Sequence, residues 1–384
     1  MATAFSLDPI ISKDVGTFSS SFGSSRLFRR SLSLIFIFRT GIIDMELLKK
    51  LVEAPAFSGG EENVRKVIES ELKRVVDEVR TDKIGNLITR KGSGKPRIML
   101  VAHMDEIGFM VKHIDEKGFI RFEPVGGWDE KILPGTKVRV YGSRGPVTGV
   151  IGFKPVHLQR KEEEKKHVKL EELYIDVGAD DRKGVEKLGV SIGDFIGIYG
   201  SFDKLTEKRI TGYGFDNRLG CRVLIEVMRK IRPKGTVYGV FSVQEEIGLI
   251  GVRGSAFGID PDAVLGIDTT IAGGTPDLKP EDVTVQLGKG PALVIKDELS
   301  IINPKIRRWL ISAAKRARVP LQYEVLKGGA TDSSITPTIR EGIPSGAIAI
   351  PTRYIHTPVE LADWGDVQNT IKLLLEALRN PQVS

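Results

Sequence analysis

The chain has 384 residues, 41% of them hydrophobic and 28% charged, which describes a soluble globular protein large enough for more than one domain. A single cysteine, Cys221, excludes an internal disulfide and a multi-thiolate zinc centre and suits a reducing compartment, so any metal must be held by His, Asp and Glu. The formal charge of +7 falls to +5 without residues 1–44, and that remainder has no aromatic-interleaved basic stripe, which argues against a nucleic-acid binder and for a solvated basic surface.

Residues 1–44 are rich in Ser, Phe and Arg and poor in acids. Their apolar run "LIFIF" is far shorter than the roughly 20 residues that span a bilayer. Because Met45 opens a clean amphipathic stretch, "MELLKKLVEA", the segment before it is expected to be a misassigned start or a disordered extension, with a transit peptide as the minority alternative.

From residue 45 to 108 helices and strands alternate, as in an α/β domain. The helix at 45–54 gives way to the loop "PAFSGGEE", then to the charged amphipathic helix "ENVRKVIESELKRVVDEV". Strands follow in "EVRTDKIGNLITRK", with a turn at Gly85-Asn86, and in "RIMLVAH". Residues 109–204 change texture: short alternating strands separated by Gly and Pro ("GFIRFEPVGG", "GTKVRVYG", "GPVTGVIGF", "GDFIGIYG") predict an inserted small β-barrel. Within it, "HLQRKEEEKKHVKLEE" reads as an exposed, mobile charged loop.

The α/β rhythm resumes over 205–384. A helix over 217–231, the strand "TVYGVFSV", a helix near Val252, the strand "AVLGID", the helix "PKIRRWLISAAKRA", the strands "LQYEVL" and "GAIAI" and the helix "WGDVQNTIKLLLEAL" are predicted in turn. No internal repeat is visible. Lys, Arg and Glu are abundant while Asn and Gln are scarce, a balance found in heat-adapted proteins.

Chemistry-bearing residues gather at the carboxyl ends of the apolar runs. "RIMLVA" ends in His103 with Asp105 two residues on, "TVYGVFSV" runs into Glu245-Glu246, "AVLGI" ends in Asp268, and "GAIAIPTRYI" ends in His356. Asp216 stands at the threshold of a helix, where it could merely be an N-cap. In open α/β sheets, ligands sit in the crevice outside the strands' carboxyl ends. Two imidazoles and several carboxylates without a thiolate suit Zn²⁺, and also Co²⁺ or Mn²⁺. Asp105 is placed to accept the second N–H of His103, and adjacent carboxylates at a frayed strand end can divide the roles of ligand and base.

The stretches "AHMDEIG", "GFDNRLGC", "VQEEIGLIG", "GIDTT" and "YIHTPVE", with "PAFSGGEE", "KIGNLI" and "GGATDSS", closely resemble the dinuclear metallo-aminopeptidases of the TET and glutamyl aminopeptidase family, over essentially the whole chain from Met45. The resemblance implies a mixed-sheet α/β zinc-peptidase catalytic domain (45–108 and 205–384) with an inserted PDZ-like β-barrel dimerisation domain (109–204). It implies two divalent ions, with Asp216 bridging them, His103 and Asp268 completing one site, and Glu246 and His356 the other. Glu245 is then the general base and Asp105 the residue that orients His103. It further implies peptide substrates and assembly of dimers into a tetrahedral homododecamer, while cytoplasmic peptide recycling is expected because no credible export signal or membrane span is visible. "GYGF" before Asp216 and Asn217 after it depart from some relatives without removing a ligand.

Lys296 and Lys327 interrupt apolar stretches that, by the same resemblance, border the substrate pocket together with Thr331 and Asp332, and suggest a preference for N-terminal Glu or Asp. A broad, neutral or basic preference and a dinuclear metal deacylase are the alternatives. A glycosidase is disfavoured because its two carboxyl groups flank the sugar bond about 5 Å apart or more, whereas Glu245 and Glu246 share one turn. A non-enzymatic scaffold sits poorly with the complete ligand set, and a serine hydrolase lacks G-x-S-x-G.

Overall fold

The computed structural model describes residues 45–161 and 168–383. The predicted extension over 1–44 and the middle of the charged loop lie outside the described residues. After a first helix, α1 (45–53), come α2 (Glu62–Leu72), β1 (Glu78–Thr81), β2 (Leu87–Gly92) and β3 (Arg97–His103). Six short strands follow: β4 (Gly108–Ile114), β5 (Ile120–Val125), β6 (Lys137–Gly142), β7 (Gly145–Gly152), β8 (Tyr174–Asp176) and, after helix α3 (Arg182–Lys187), β9 (Phe195–Ile198). The remainder runs β10 (Phe202–Lys204), β11 (Arg209–Gly212), α4 (Phe215–Lys230), β12 (Thr236–Ser242), α5 (Ile250–Ile259), β13 (Ala263–Ile271), β14 (Ala292–Lys296), α6 (Pro304–Ala317), β15 (Gln322–Val325), β16 (Ser345–Arg353), β17 (Glu360–Asp363) and α7 (Trp364–Arg379).

The large sheet is mixed, in the order β1-β2-β12-β3-β13-β16-β17-β11-β10, with β14 and β15 branching from β16. Its centre, β12, β3, β13 and β16, is parallel. Strands buried on both faces read as continuous apolar runs, as "RIMLVAH" does. On one face Met99, Val101, Val240 and Val264 pack against Val252, Ala256 and Ile259 of α5. Helix α4 packs on β3 and β13, and α7 on α4 and β16. Each fully buried Val, Leu or Ile contributes about 1.5–3 kcal/mol.

Strands β4-β5-β8-β7-β6-β9 close into the expected barrel around Phe109, Phe122, Val138, Ile151, Ile175 and Ile196. β10, at the end of the 109–204 stretch, instead pairs with β11 in the large sheet. Among the described residues no helix is long and apolar enough to cross a membrane.

Arg218, fully buried in α4, ties together the loops that follow α1 and β3. Its Nε donates to Leu51 O at 3.0 Å, its Nη2 to Ala54 O at 3.2 Å and to Glu106 Oε2 at 2.9 Å, and its Nη1 to Met104 O. Breaking a buried ion pair from one side leaves an uncompensated charge, at a cost of about 3–5 kcal/mol. The connection between β3 and the barrel is therefore fixed from beneath.

Candidate metal centre

Strand register brings the site together. β12 and β3 are parallel with Ser242 opposite His103, so the chain leaving β12 carries Glu245 and Glu246 just past the end of β3. On the other side of β3, Gly266 stands opposite Val101, and two residues further on Asp268 comes level with His103. β16 lies beside β13, and His356 follows its end.

Asp216 enters from the start of α4, and its position depends on its neighbour. Asp216 and Asn217 have non-helical backbone angles, and it is Asn217 that caps the helix: its Oδ1 accepts Gly220 N–H at 2.9 Å and its Nδ2 donates to Ile267 O at 2.8 Å. The capping role open to Asp216 in the sequence is thus filled by Asn217, and the Asp216 carboxylate is free to face the strand ends.

It faces two places at once. Asp216 Oδ1 lies 3.2 Å from His103 Nε2, which is 3.6 Å from Asp268 Oδ1. Asp216 Oδ2 lies 3.5 Å from His356 Nε2, which is 3.4 Å from Glu246 Oε2. The groups His103–Asp216–Asp268 and Asp216–Glu246–His356 each bring their ligand atoms within 4.8 Å of one another. His103 with Glu245 and Glu246 forms a third such group. The five expected ligands and Glu245 are therefore in one place.

The electrostatics show what the cluster lacks. Burial lowers the His356 imidazole's pKa, but hydrogen bonds to Asp216 and Glu246 outweigh it and raise it to about 11. His103 is raised well above its usual value in the same way, against burial, by Glu245, Asp105, Asp216 and Asp268. Burial raises Glu245 well above the usual carboxylate range; His103 pulls it back, and Glu246, Asp268 and Asp332 push it further up. Two imidazoles cannot offset that many buried carboxylates, and Asp216 Oδ1 and Glu246 Oε1 are buried without a hydrogen-bond donor. Divalent cations would supply the missing positive charge, so the donor set fits metal.

Asp105 stands beside His103 and meets it through two kinds of atom. His103 Nδ1 lies 3.1 Å from the backbone oxygen of Asp105 and 3.6 Å from its carboxylate. A carbonyl oxygen carries no proton, so Nδ1 is the donor and Nε2 is directed at Asp216 and Asp268. The carboxylate is occupied elsewhere: it accepts Ser58 Oγ–H at 2.7 Å, Glu245 N–H at 3.0 Å and Glu246 N–H at 3.1 Å. Asp105 therefore orients His103 through its main chain and the Glu245-Glu246 turn through its side chain.

Two supporting carboxylates escaped the sequence reading. Glu360 accepts the backbone N–H groups of Asp216 at 3.1 Å and His356 at 3.0 Å, one on each oxygen, and so fixes a ligand from each trio. Glu61 accepts Gly59 N–H at 2.7 Å and Gln244 N–H at 3.1 Å. Both lie inside quoted motifs, "YIHTPVE" and "PAFSGGEE", which was the available signal. Gln244 and His356 adopt φ of 55° and 61°, a region non-glycine residues seldom occupy. The barrel also reaches the site: at Gly126, φ 81°, a Cβ would lie 2.4 Å from Ile107 Cγ2 and 3.4 Å from Glu246 Oε2, so only glycine fits there.

The expected substrate residues are placed differently from the ligands. Lys296 Nζ donates to Asp297 O at 2.9 Å and Leu326 O at 3.3 Å, while Lys327 is exposed. Thr331 and Asp332 are buried, and Asp332 accepts Ser242 Oγ–H beneath the strand ends. Thr331 Oγ1 meets the hydroxyls of Ser333 and Ser334 at 3.0 and 3.3 Å, and Asp332 Oδ1 is buried without a hydrogen-bond partner.

A mixed α/β sheet with an inserted barrel thus presents, at its strand ends, a carboxylate-imidazole cluster of the kind that holds a divalent metal. The chain belongs to the M42 glutamyl aminopeptidase family, whose pattern it matches over residues 85–373. It is similar to the lysyl aminopeptidase of Pyrococcus furiosus, 38% identical over 348 residues that cover 88% of this chain and 98% of that one. Among solved structures, it is similar to the TET aminopeptidase of the marine sediment archaeon Thaumarchaeota archaeon SCGC AB-539-E09, with a TM-score of 0.87, 37% identity and 89% and 98% coverage of the two chains. It is also similar to the Pyrococcus horikoshii TET1 peptidase, which can assemble into a tetrahedron or a large octahedral shell, with a TM-score of 0.79, 33% identity and 88% and 99% coverage.

Proposed function

We propose that this chain is a dinuclear metal-dependent aminopeptidase that releases the N-terminal residue of peptides. The observation that carries this reading is Asp216, whose two oxygens face separate trios. His103 and Asp268 would complete one ion's protein ligands, and Glu246 and His356 the other's. Zn²⁺ suits these nitrogen and oxygen donors, and Co²⁺ or Mn²⁺ takes the same set.

Bound ions would supply Lewis acidity toward the scissile carbonyl and lower the pKa of water. Glu245, partly buried and 3.9 Å from His103 Nε2, takes a proton from the attacking water on a carboxylate oxygen and returns it to the leaving amine. Asp105 keeps that carboxylate in place by holding the Glu245 N–H. Glu360 and Asp105 position the other participants through main-chain hydrogen bonds, which costs the ligand atoms nothing.

Preference for N-terminal Glu or Asp is not carried by the lysines that suggested it, because Lys296 directs its ammonium at two carbonyls and Lys327 faces solvent. The Pyrococcus furiosus relative is named for lysine and the family for glutamate, so membership alone sets no preference.

Dialysis against a chelator is expected to abolish release from amino-acid anilides, and Zn²⁺ or Co²⁺ to restore it, with ion content rising in step. N-acetylated peptides and cellulose fragments are expected to be inert. Turnover of the acetylated peptide alone would replace this reading with a deacylase, and full activity in the ion-free protein would end the metal reading. We further propose a dodecameric tetrahedral shell, as is formed by the Pyrococcus horikoshii protein. Sedimentation analysis is expected to find a particle of twelve 42.2 kDa chains, and a stable monomer at working concentration would remove that proposal.

A further inference from the structure

We propose that Glu324 selects the side chain of the N-terminal residue and that it selects cationic ones, lysine or arginine. The proposal rests on the aminopeptidase reading, and it names the substrate class of the same site.

The sheet curls beside the metal centre. β13, β16, β14 and β15 lie side by side, and residues 283–286 link β15 back to the end of β13. Gly273 N–H donates to Val285 O at 2.8 Å, Thr284 Oγ1–H to Tyr323 O at 3.2 Å, and Gln286 N–H to Gln322 Oε1 at 2.9 Å. Around the interior of this curl pack Val285, Ala292, Val294, Ala347 and Ala349. Three of the five are alanines, so the side chains beside the two polar groups are small.

Two polar groups share that interior. Asp268 stands opposite Ala349, which stands opposite Ala292, and Thr270 lies on the same face two residues along β13. Glu324 stands opposite Val294. Thr270 Oγ1–H donates to Glu324 Oε1, while Oε2 is buried with no hydrogen-bond partner, in a side chain belonging to a residue only 4% exposed. A buried carboxylate oxygen without a partner is costly, and a proton, a water or a ligand's cation would satisfy it. Burial pushes Glu324 up to about 7 against the hydrogen bond from Thr270, and an arriving ammonium or guanidinium would hold it ionised.

The spacing suits an N-terminal residue. Two residues of strand separate Thr270 from the ligand Asp268 by roughly 7 Å. A peptide whose reacting carbonyl lies at the cluster can thus extend a long side chain to Glu324. A glutamate side chain there would meet a carboxylate, and a leucine would leave the oxygen unpaired, so both are disfavoured relative to lysine.

The test uses the full-length, Zn²⁺-loaded protein with Lys-, Arg-, Leu- and Glu-anilides, and compares wild type with Glu324→Gln, which keeps the shape and the acceptor for Thr270. The wild type is expected to favour Lys over Leu in kcat/KM by at least about tenfold. Glu324→Gln is expected to lose most of that ratio while its rate on Leu stays within about threefold of wild type. Calorimetric titration with L-lysine and L-norleucine, which differ by the terminal ammonium, reads the same preference without turnover. A Lys-to-Leu ratio unchanged in Glu324→Gln, or equal binding of lysine and norleucine by the wild type, overturns the proposal and leaves Glu324 as a support for Thr270. No turnover of any anilide together with lysine-selective binding would instead refute the aminopeptidase reading and keep the cation site.

Discussion

Glu245→Gln is expected to lower kcat for release of an N-terminal residue by about 10²–10⁴-fold, the range for loss of a positioned general base, while leaving bound metal at the wild-type level. Gln has the shape of Glu and keeps the backbone N–H that Asp105 accepts, so the turn after β12 is preserved. What disappears is the oxygen that can take a proton. Saturating anilide kinetics paired with elemental analysis of the purified protein checks both halves. A rate within threefold of wild type would remove Glu245 from proton transfer. Loss of metal in parallel with activity would make Glu245 a ligand, the role it would have in the group of His103, Glu245 and Glu246.

Asp216→Asn is expected to weaken both ions together. Removal of a residue that merely orients a ligand costs roughly 10–100-fold in metal affinity, and a carboxylate shared between two trios should cost no less. The substitution spares the backbone, since Glu360 holds the Asp216 N–H and Asn217 caps α4. Competition titration with a metal indicator should therefore find both affinities reduced by at least about 100-fold in a protein with a wild-type circular dichroism spectrum. Retention of one ion at wild-type affinity would show that the trios do not share Asp216. These two variants separate the roles of neighbouring carboxylates: Glu245→Gln keeps metal and loses chemistry, and Asp216→Asn loses both.

Much of the site was legible because each ligand sits at a change of pattern. An apolar run long enough for a central strand that ends in His103, Asp268 or Glu245-Glu246 marks the edge of a parallel sheet, and such edges are where functional groups converge. The barrel was legible for a different reason, since short alternating strands punctuated by Gly and Pro leave few other architectures. Side chains whose partners are main-chain atoms left weaker traces. Nothing local distinguishes the Asp105 carboxylate as a clamp on Glu245 and Glu246, because its partners lie about 140 residues away. Glu360 is likewise an ordinary glutamate in sequence, and only folding brings it to Asp216.

The lysines carry less support than the clustered carboxylates and imidazoles. Lys296 and Lys327 stand out in the chain because they interrupt apolar stretches, yet one is drawn to carbonyls and the other to water. The group that faces the interior of the curl is Glu324, in a stretch, "LQYEVL", that reads as an unremarkable edge strand. Its position depends on residues 283–286 closing the sheet, and no pattern in the chain announces that closure.

By itself the sequence determined the family, the sheet-plus-barrel architecture and which carboxylates and imidazoles cluster, because strand periodicity and strand-end chemistry are local properties of the chain. Tertiary structure decided which oxygen of Asp216 faces which trio, which atoms of Asp105 meet which partner, and which carboxylate meets Thr270. Those choices follow from parallel register and from the rule that every buried polar atom needs a partner, and both are settled only when distant segments meet.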